Sequence, residues 1–245
     1  ITFSNDSSVA APDVFVMGHM PEQSIARTVR YAAGKGARRF AALVPTGEYG
    51  NRAAEALAAA VTAANGSIVA TERFDRGNTS IISAAERLTA TGGFDAVLIA
   101  EGPRLAAMAA GALGSGQRRP TILGTELWSG EASIANSSAL RGAWFSAVSD
   151  DRYRQFVESY EARFGEQPYR IATLGYDAVL LALRIAQDWQ PGTPLPTRQM
   201  TDEGGFLGLD GPFRFTRDGV GERAMEVRQV GNGTISVVDP APTRF

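Results

Sequence analysis

The stretch from Arg39 to Glu126 constrains the fold of this 245-residue chain most, because apolar runs alternate with helical patterns throughout it. The apolar runs are RFAALV (39–44), SIVAT (67–71), FDAVLIA (94–100) and TILG (121–124), and the helical patterns between them lie at about 49–64, 79–88 and 104–113. Strands and helices that alternate in this way are typical of a parallel sheet with helices on both faces. The sequence therefore predicts an α/β fold.

Sheets of this kind bind ligands beyond the carboxyl ends of their strands. In this sequence three short loops occupy those ends: PTGEYG (45–50), AEGP (100–103) and GTELW (124–128). Tyr49 in the first loop is a candidate to cover a ligand. A tyrosine ring that only packs on its own loop is an equally good interpretation.

The other two loops contribute an acidic residue each. Glu101 and Gly102 follow the third strand, and Glu126 with Trp128 follows the fourth. An acid beside an aromatic ring can hold a ligand's ammonium group. The alternative is structural: a carboxylate that caps the next helix, and a tryptophan that fills the seam between two lobes.

A polar loop near the start of the chain is a further candidate. Ser4, Asn5 and Asp6 follow a short apolar segment that reads as the end of a strand. Small hydroxyl and amide side chains at such a position can donate to a ligand carboxylate. The alternative is that these residues only form a turn, as Ser, Asn and Asp commonly do.

The rest of the sequence predicts three more helices, at 21–33, 151–164 and 171–187, and a hairpin at 225–238. Asn232-Gly233 between two alternating runs is a strong hairpin signal. The second of these helices carries aromatic and apolar residues at helical spacing, which predicts a buried face, and the third is apolar enough to be buried on most sides.

Composition argues against several classes of function. The net charge is −2, whereas a surface that binds nucleic acid needs an excess of basic residues, so no nucleic-acid partner is predicted. There is no cysteine, His19 is the single histidine, and the sequence contains neither a phosphate loop nor a GxSxG motif. We therefore predict a protein that is not an enzyme and that needs no metal or cofactor.

Taken in order, several motifs resemble those of one family. FAALVPTGEYG (40–50), FDRGNTSIISAAERL (74–88), FDAVLIAEGP (94–103) and PTILGTELW (120–128) have the order and spacing of type I periplasmic binding proteins, above all the leucine/isoleucine/valine-binding receptors. In the second half, GFLGLDGPFRF (205–215) is similar to the bacterial penicillin-binding protein activators, which share that fold.

The resemblance implies two Rossmann-like lobes of parallel sheet with helices on both faces, the first lobe being incomplete. Residues 1–20 and 149–223 are expected to form the partial N-terminal lobe. Residues 21–148 and 224–245 are expected to form the C-terminal lobe. On this interpretation Ile1 is a cut point within a longer protein, and much of the first lobe lies upstream of it.

The resemblance also implies roles for the candidate residues of the second lobe, in a ligand cleft between the lobes. Tyr49 matches a tyrosine that covers the ligand, and Glu126 matches an acid that holds the ligand's ammonium group. Gly102, beside Glu101, stands where the receptors have an aromatic residue. The cleft is therefore expected to be more acidic than that of an amino-acid receptor.

In the first lobe, Ser4, Asn5 and Asp6 are similar to a receptor loop that binds the α-carboxylate of an amino acid. Asp6 stands where a hydroxyl is usual, and its charge would repel a carboxylate. Because of this difference, it is in question whether the loop binds a ligand carboxylate here as it does in the receptors.

The function that follows is non-catalytic binding of a small polar ligand, an amino acid or a related amine, as in the substrate-binding protein of an ABC transporter. The expected partners are then the ligand and a membrane permease. The alternative is an envelope regulatory protein that activates a peptidoglycan synthase by direct contact. Either function implies a periplasmic protein, free or lipid-anchored through an upstream segment.

Overall fold

The alternating segment that begins at Arg39 forms most of one seven-stranded sheet in a computed structural model, which describes residues 1–114, 119–243 and 245. The strands described are β1 (Arg39–Pro45), β2 (Ser67–Phe74), β3 (Ala96–Ile99), β4 (Thr121–Leu123), β5 (Trp144–Ala147), β6 (Phe206–Gly208), β7 (Gly211–Phe215), β8 (Gly221–Arg223), β9 (Glu226–Val230) and β10 (Ile235–Asp239). The α-helices described are α1 (Pro21–Gly34), α2 (Glu48–Ala63), α3 (Ser80–Thr91), α4 (Pro103–Ala112), α5 (Asp151–Phe164) and α6 (Ala172–Ile185).

The chain divides into two units. Unit 1 comprises Ile1–Met20, Val148–Met225 and Ala241–Phe245, and unit 2 comprises Pro21–Ala147 and Glu226–Pro240. The sequence predicted lobes divided after residues 20, 148 and 223. In the structure the chain changes unit after residues 20, 147, 225 and 240.

Unit 2 contains the seven-stranded sheet, in the order β10-β9-β5-β4-β3-β1-β2. Strands β1 to β5 pair in parallel, and β9 and β10 add an antiparallel hairpin at one edge. This arrangement confirms the predicted α/β fold. Because β3 lies between β1 and β4, the loops that follow these three strands meet at one edge of the sheet.

Both faces of this sheet are buried, which explains why its strands are apolar without alternation. Successive side chains of β1 point to opposite faces: Phe40 and Ala42 pack with helices α1 and α2, whereas Ala41 and Leu43 pack with α3 and α4. All four of these side chains are completely buried.

Unit 1 has a small antiparallel sheet, in the order β6-β7-β8. Parallel pairing in this unit is limited to single bridges of Val16 with Thr2 and with Val220 among the residues that the structure describes. The core of the unit forms around Phe15, Met17 and residues of α6 and β7.

The buried polar centre of unit 1 is Asp210, in the turn between β6 and β7. Its side chain is completely buried. Arg170 donates to its Oδ1 at 2.6 Å and Thr173 to its Oδ2 at 3.0 Å. His19 Nε2 lies 3.0 Å from Oδ2, and the guanidinium of Arg223 approaches to 3.8 Å.

The burial predicted for helices α5 and α6 was wrong. In α5 no residue is buried, and in α6 Val179 and Leu183 are 60% and 64% exposed. Ring contacts such as Phe156–Tyr176, with centroids 5.5 Å apart, join the two helices to each other. A groove of about 710 Å³ lies between the two helices. The helical spacing of apolar residues therefore predicted an apolar face correctly, but it did not predict that this face is exposed.

No helix in the described part of the chain combines the length and the apolar character that crossing a membrane requires.

Candidate functional site

The candidate site lies in unit 2, at the edge of the sheet where β1, β3 and β4 end. Helix α2 begins two residues after Thr46, and Tyr49 is in its first turn. A close approach makes this turn possible, because a Cβ on Gly50 would lie 1.7 Å from the Pro45 carbonyl oxygen. The absence of a side chain at Gly50 therefore lets α2 start directly against the end of β1.

Tyr49 contacts the loop that follows β4, as far as 77 residues away in sequence. Its hydroxyl donates to Glu126 Oε1 at 2.9 Å and lies 3.1 Å from Thr125 Oγ1. Thr125 is the N-cap of a short 3-10 helix, Glu126–Trp128. The two residues that the sequence singled out most clearly are thus hydrogen-bonded to each other.

Only one of the two carboxyl oxygens of Glu126 accepts a hydrogen bond from a residue that the structure describes. The residue is 8% exposed, and its Oε2 is buried and accepts no hydrogen bond from any residue that the structure describes. An acceptor buried in this way costs on the order of 1–3 kcal/mol unless a donor reaches it. The geometry therefore leaves one strong acceptor position for a donor from outside the chain.

The surroundings of Glu126 favour its neutral form. Burial raises the pKa of this carboxyl to about 7; the hydrogen bond from Tyr49 opposes the shift, and the nearby charge of Glu22 adds to it. Burial, together with the Glu126 charge, also raises the pKa of Tyr49. Tyr49 therefore stays protonated and remains a donor, while Glu126 changes its charge near neutral pH.

This pKa shift makes the stability of the protein depend on pH in a defined direction. The ordinary pKa is 4.5, so between that value and about 7 the folded protein keeps a proton that the unfolded chain releases. The contribution of this group is fully present below pH 4.5 and is lost as the pH rises to about 7, by about 3 kcal/mol in total.

A Glu126→Gln variant copies the protonated carboxyl and should remove this dependence. We expect its free energy of unfolding, relative to the wild-type protein, to rise by about 3 kcal/mol between pH 4.5 and pH 8. Urea unfolding at both pH values measures the difference. A difference that does not change with pH would show that Glu126 titrates normally.

Glu101 and Gly102 lie at the same edge of the sheet but make contacts within the chain. Glu101 Oε1 accepts a hydrogen bond from the Gly102 N–H at 2.9 Å, where helix α4 begins. Its Oε2 forms an ion pair with Arg76. The ligand contacts predicted for these two residues stay a prediction.

Trp128, which the sequence also predicted as a ligand contact, packs inside unit 2, and that contact stays a prediction. Trp128 is completely buried, its indole N–H donates to the Glu101 carbonyl oxygen at 2.8 Å, and its ring packs near Phe145. A Cβ on Gly124 would meet this ring at 2.5 Å, so Gly124 makes room for it. Trp128 is therefore part of the core of unit 2, and the loop that follows β4 packs on it.

Ser4, Asn5 and Asp6 lie in unit 1, where their described contacts are those of a turn. The Asp6 N–H donates to Ser4 Oγ at 3.0 Å, and Asp6 Oδ1 accepts from the Ser8 N–H as the N-cap of a short 3-10 helix. This is the turn-forming alternative that the sequence left open. Their ligand contacts stay a prediction.

Two residues of the site, Thr125 and Arg76, were not predicted from the sequence. Thr125 could have been found from its position as a possible N-cap before Glu126. Arg76 follows β2 in an exposed Asp-Arg-Gly turn and gives no signal by itself. Among the described residues no cluster of three or more possible metal ligands occurs.

Comparison with known protein families identifies one match. The sequence profile of the periplasmic binding protein family matches residues 2–234. The chain belongs to the periplasmic binding protein family. A comparison with curated protein sequences finds no match.

Solved structures show the same fold, that of type I periplasmic binding proteins. A Rhodospirillum rubrum protein named for branched-chain amino acid ABC transport is 22% identical, with a TM-score of 0.78 over 94% of this chain and 70% of its own. An R. palustris solute-binding protein in complex with benzoate is 19% identical, with a TM-score of 0.71 over 95% of this chain and 67% of its own. A leucine-binding protein from Thermotoga maritima is 19% identical, with a TM-score of 0.68 over 91% and 66%. This periplasmic binding protein chain thus spans 66–70% of the length of these three relatives.

Proposed function

We propose that this chain binds a small polar ligand, without converting it, at the edge of the unit 2 sheet that carries Tyr49 and Glu126. Membership of the periplasmic binding protein family supports a binding function over catalysis. The same membership supports a location outside the cytoplasm and a role as the solute-binding component of an ABC transporter. The partner would then be a membrane permease.

The buried carboxyl of Glu126 is the observation that carries the proposal. One of its oxygens is held by Tyr49, and the other has no donor among the described residues. A cationic N–H donor suits such an acceptor best, because a hydrogen bond between charged groups is about twice as strong as a neutral one. An amino acid or a related amine therefore remains the ligand class that we propose.

The relatives give a range of ligand types to test. A Desulfitobacterium hafniense substrate-binding protein is known in complex with leucine, and a Rhodopseudomonas palustris solute-binding protein in complex with 3,4-dihydroxybenzoic acid. Each of these molecules has an N–H or O–H donor that could reach an acceptor such as Glu126. The regulatory alternative, contact with a peptidoglycan synthase, and lipid anchoring both stay predictions from the sequence.

Glu126→Gln is the variant that tests this site. For the wild-type protein, a ligand at about 100 times its Kd should add about 2.7 kcal/mol to the free energy of unfolding. At pH 8, where Glu126 is ionised, loss of the charged acceptor should weaken binding by about ten-fold or more, so the added stability should fall by about half or more at the same ligand concentration. Thermal shift with a panel of amino acids, small amines and hydroxybenzoates measures both proteins.

Glu86→Gln serves as the matched control, because Glu86 is exposed on α3. It should respond to each ligand as the wild-type protein does. If Glu126→Gln also keeps the full response, the ligand does not bind at Glu126. Because the glutamine is expected to raise stability at neutral pH, a lost response could not be attributed to unfolding.

A further inference from the structure

Arg76 lies over the same tyrosine that contacts Glu126. Its guanidinium carbon is 5.2 Å from the centre of the Tyr49 ring, and its side chain is 46% exposed. The residue belongs to the turn between β2 and α3, next to the edge of the sheet where the candidate site lies. A guanidinium that faces an aromatic ring at this distance is held there by a cation–π contact.

Glu101 fixes the orientation of this guanidinium. The Glu101 side chain is 12% exposed, and one of its oxygens already accepts from the Gly102 N–H at the start of α4. Its other oxygen accepts from Arg76 Nε at 2.5 Å. Glu101 accepts a hydrogen bond only from Nε of Arg76. The two terminal amino groups of Arg76 donate to no described residue and therefore stay available to a ligand.

Tyr49 thus contacts two ionisable side chains, Glu126 at its hydroxyl and Arg76 at its ring. Its hydroxyl is bound to a buried carboxyl with one acceptor oxygen left over, and its ring lies against a positioned guanidinium. The two amino groups of an arginine match the two oxygens of a carboxylate, which they can bind as a pair. One face of unit 2 therefore offers both an acceptor for a donor group and a donor pair for an anion.

From this juxtaposition we infer that Arg76 binds the carboxylate of the ligand while Glu126 accepts from the ligand's N–H or O–H group. The inference rests on the proposed function and narrows its ligand class to small carboxylic acids that also carry a hydrogen-bond donor. It assigns the carboxylate to a residue other than the Ser4, Asn5 and Asp6 loop. That loop carries a negative charge of its own and makes the contacts of a turn.

Two acids and their primary amides test the inference directly. L-Leucine and 3,4-dihydroxybenzoate are each compared with the primary amide, which keeps the donor group but lacks the carboxylate charge. Isothermal titration gives the ratio of Kd values, amide over acid, for each variant. We expect the wild-type protein to prefer at least one acid over its amide by about ten-fold or more, and Arg76→Gln to bring that ratio close to one.

Three further variants make the result specific. Arg87→Gln removes an exposed arginine whose Nε is paired with Glu72 at 2.7 Å in the same manner, and it should leave the ratio unchanged. Arg76→Lys keeps the charge but not the two-pronged geometry and should give an intermediate ratio. Glu126→Gln should weaken the acid and its amide alike, because both keep the donor.

The outcomes separate this inference from the proposed function. If Arg76→Gln keeps the wild-type preference for the acid, or if the wild-type protein binds acid and amide equally, Arg76 does not bind the carboxylate, and binding at Glu126 still stands. If neither these four compounds nor any member of the panel of amino acids, small amines and hydroxybenzoates binds to the wild-type protein, both the inference and the ligand class proposed for Glu126 are wrong. A ratio that falls only in the Arg76 variants supports the inference.

Discussion

Replacing Asp210 by Ala is expected to lower the free energy of unfolding by about 3–5 kcal/mol, because the change leaves buried cationic groups without their partner. In the folded protein the carboxylate is completely buried. It accepts from Arg170 and Thr173, and Arg223, which approaches it to 3.8 Å, is itself only 6% exposed. Urea unfolding followed by circular dichroism at pH 7 measures the change.

The charge state of Asp210 supports this magnitude. Burial opposes ionisation, but the hydrogen bond from His19 and the charges of Arg170 and Arg223 outweigh it and hold the pKa of the Asp210 carboxyl well below its usual range. The group therefore stabilises the folded state at every pH above its ordinary pKa, and this contribution is lost only as the pH falls through the lowered value. Replacement at pH 7 should remove the contribution in full.

Asp151→Ala is the matched control for this variant. Asp151 also pairs with an arginine, Arg154, at 2.7 Å, but the two side chains are 80% and 70% exposed. Exposed pairs of this kind contribute roughly 0–1 kcal/mol. Equal effects of the two substitutions would mean that the Asp210 cluster is not the buried centre of unit 1.

A Gly50→Ala substitution is expected to cost on the order of 3 kcal/mol and to displace Tyr49 as well. The added Cβ would lie 1.7 Å from the Pro45 carbonyl oxygen and 2.8 Å from its carbon. Both are backbone atoms of β1 that a side-chain rotation cannot move aside. Helix α2 must therefore shift, and the Tyr49 hydroxyl would move away from Glu126.

Two measurements check this prediction: the unfolding free energy, and the ligand-induced thermal shift at the Glu126 site. Gly111→Ala is the control, because Gly111 lies inside α4 and a Cβ added there would have no atom of a neighbouring described residue within 4 Å. There the alanine should raise stability by up to about 1 kcal/mol through helix propensity. A Gly50 variant as stable as the wild-type protein would contradict the close approach of α2 and β1.

Local sequence patterns predicted most of the elements of unit 2. The helix expected at 21–33 is observed at Pro21–Gly34, and the one expected at 49–64 at Glu48–Ala63. The hairpin expected from Asn232-Gly233 is formed by β9 and β10. These predictions succeeded because helix and strand periodicity depends on residues that are close together in the chain.

The same patterns failed where burial depends on the rest of the fold. Phe164 ends an apolar stripe that predicted core, yet it is 57% exposed. Periodicity shows which residues share a face of a helix, but it does not show what packs on that face.

The amino-acid sequence by itself determined the alternation of strands and helices, the family resemblance, and Tyr49 and Glu126 as candidates. Only the tertiary structure decided that these two residues touch, that one Glu126 oxygen lacks a donor among the described residues, and that Arg76 lies over the Tyr49 ring. The physical reason is strand order. Because β1 lies between β2 and β3, and β4 follows β3 in the sheet, turns far apart in the chain converge at one edge.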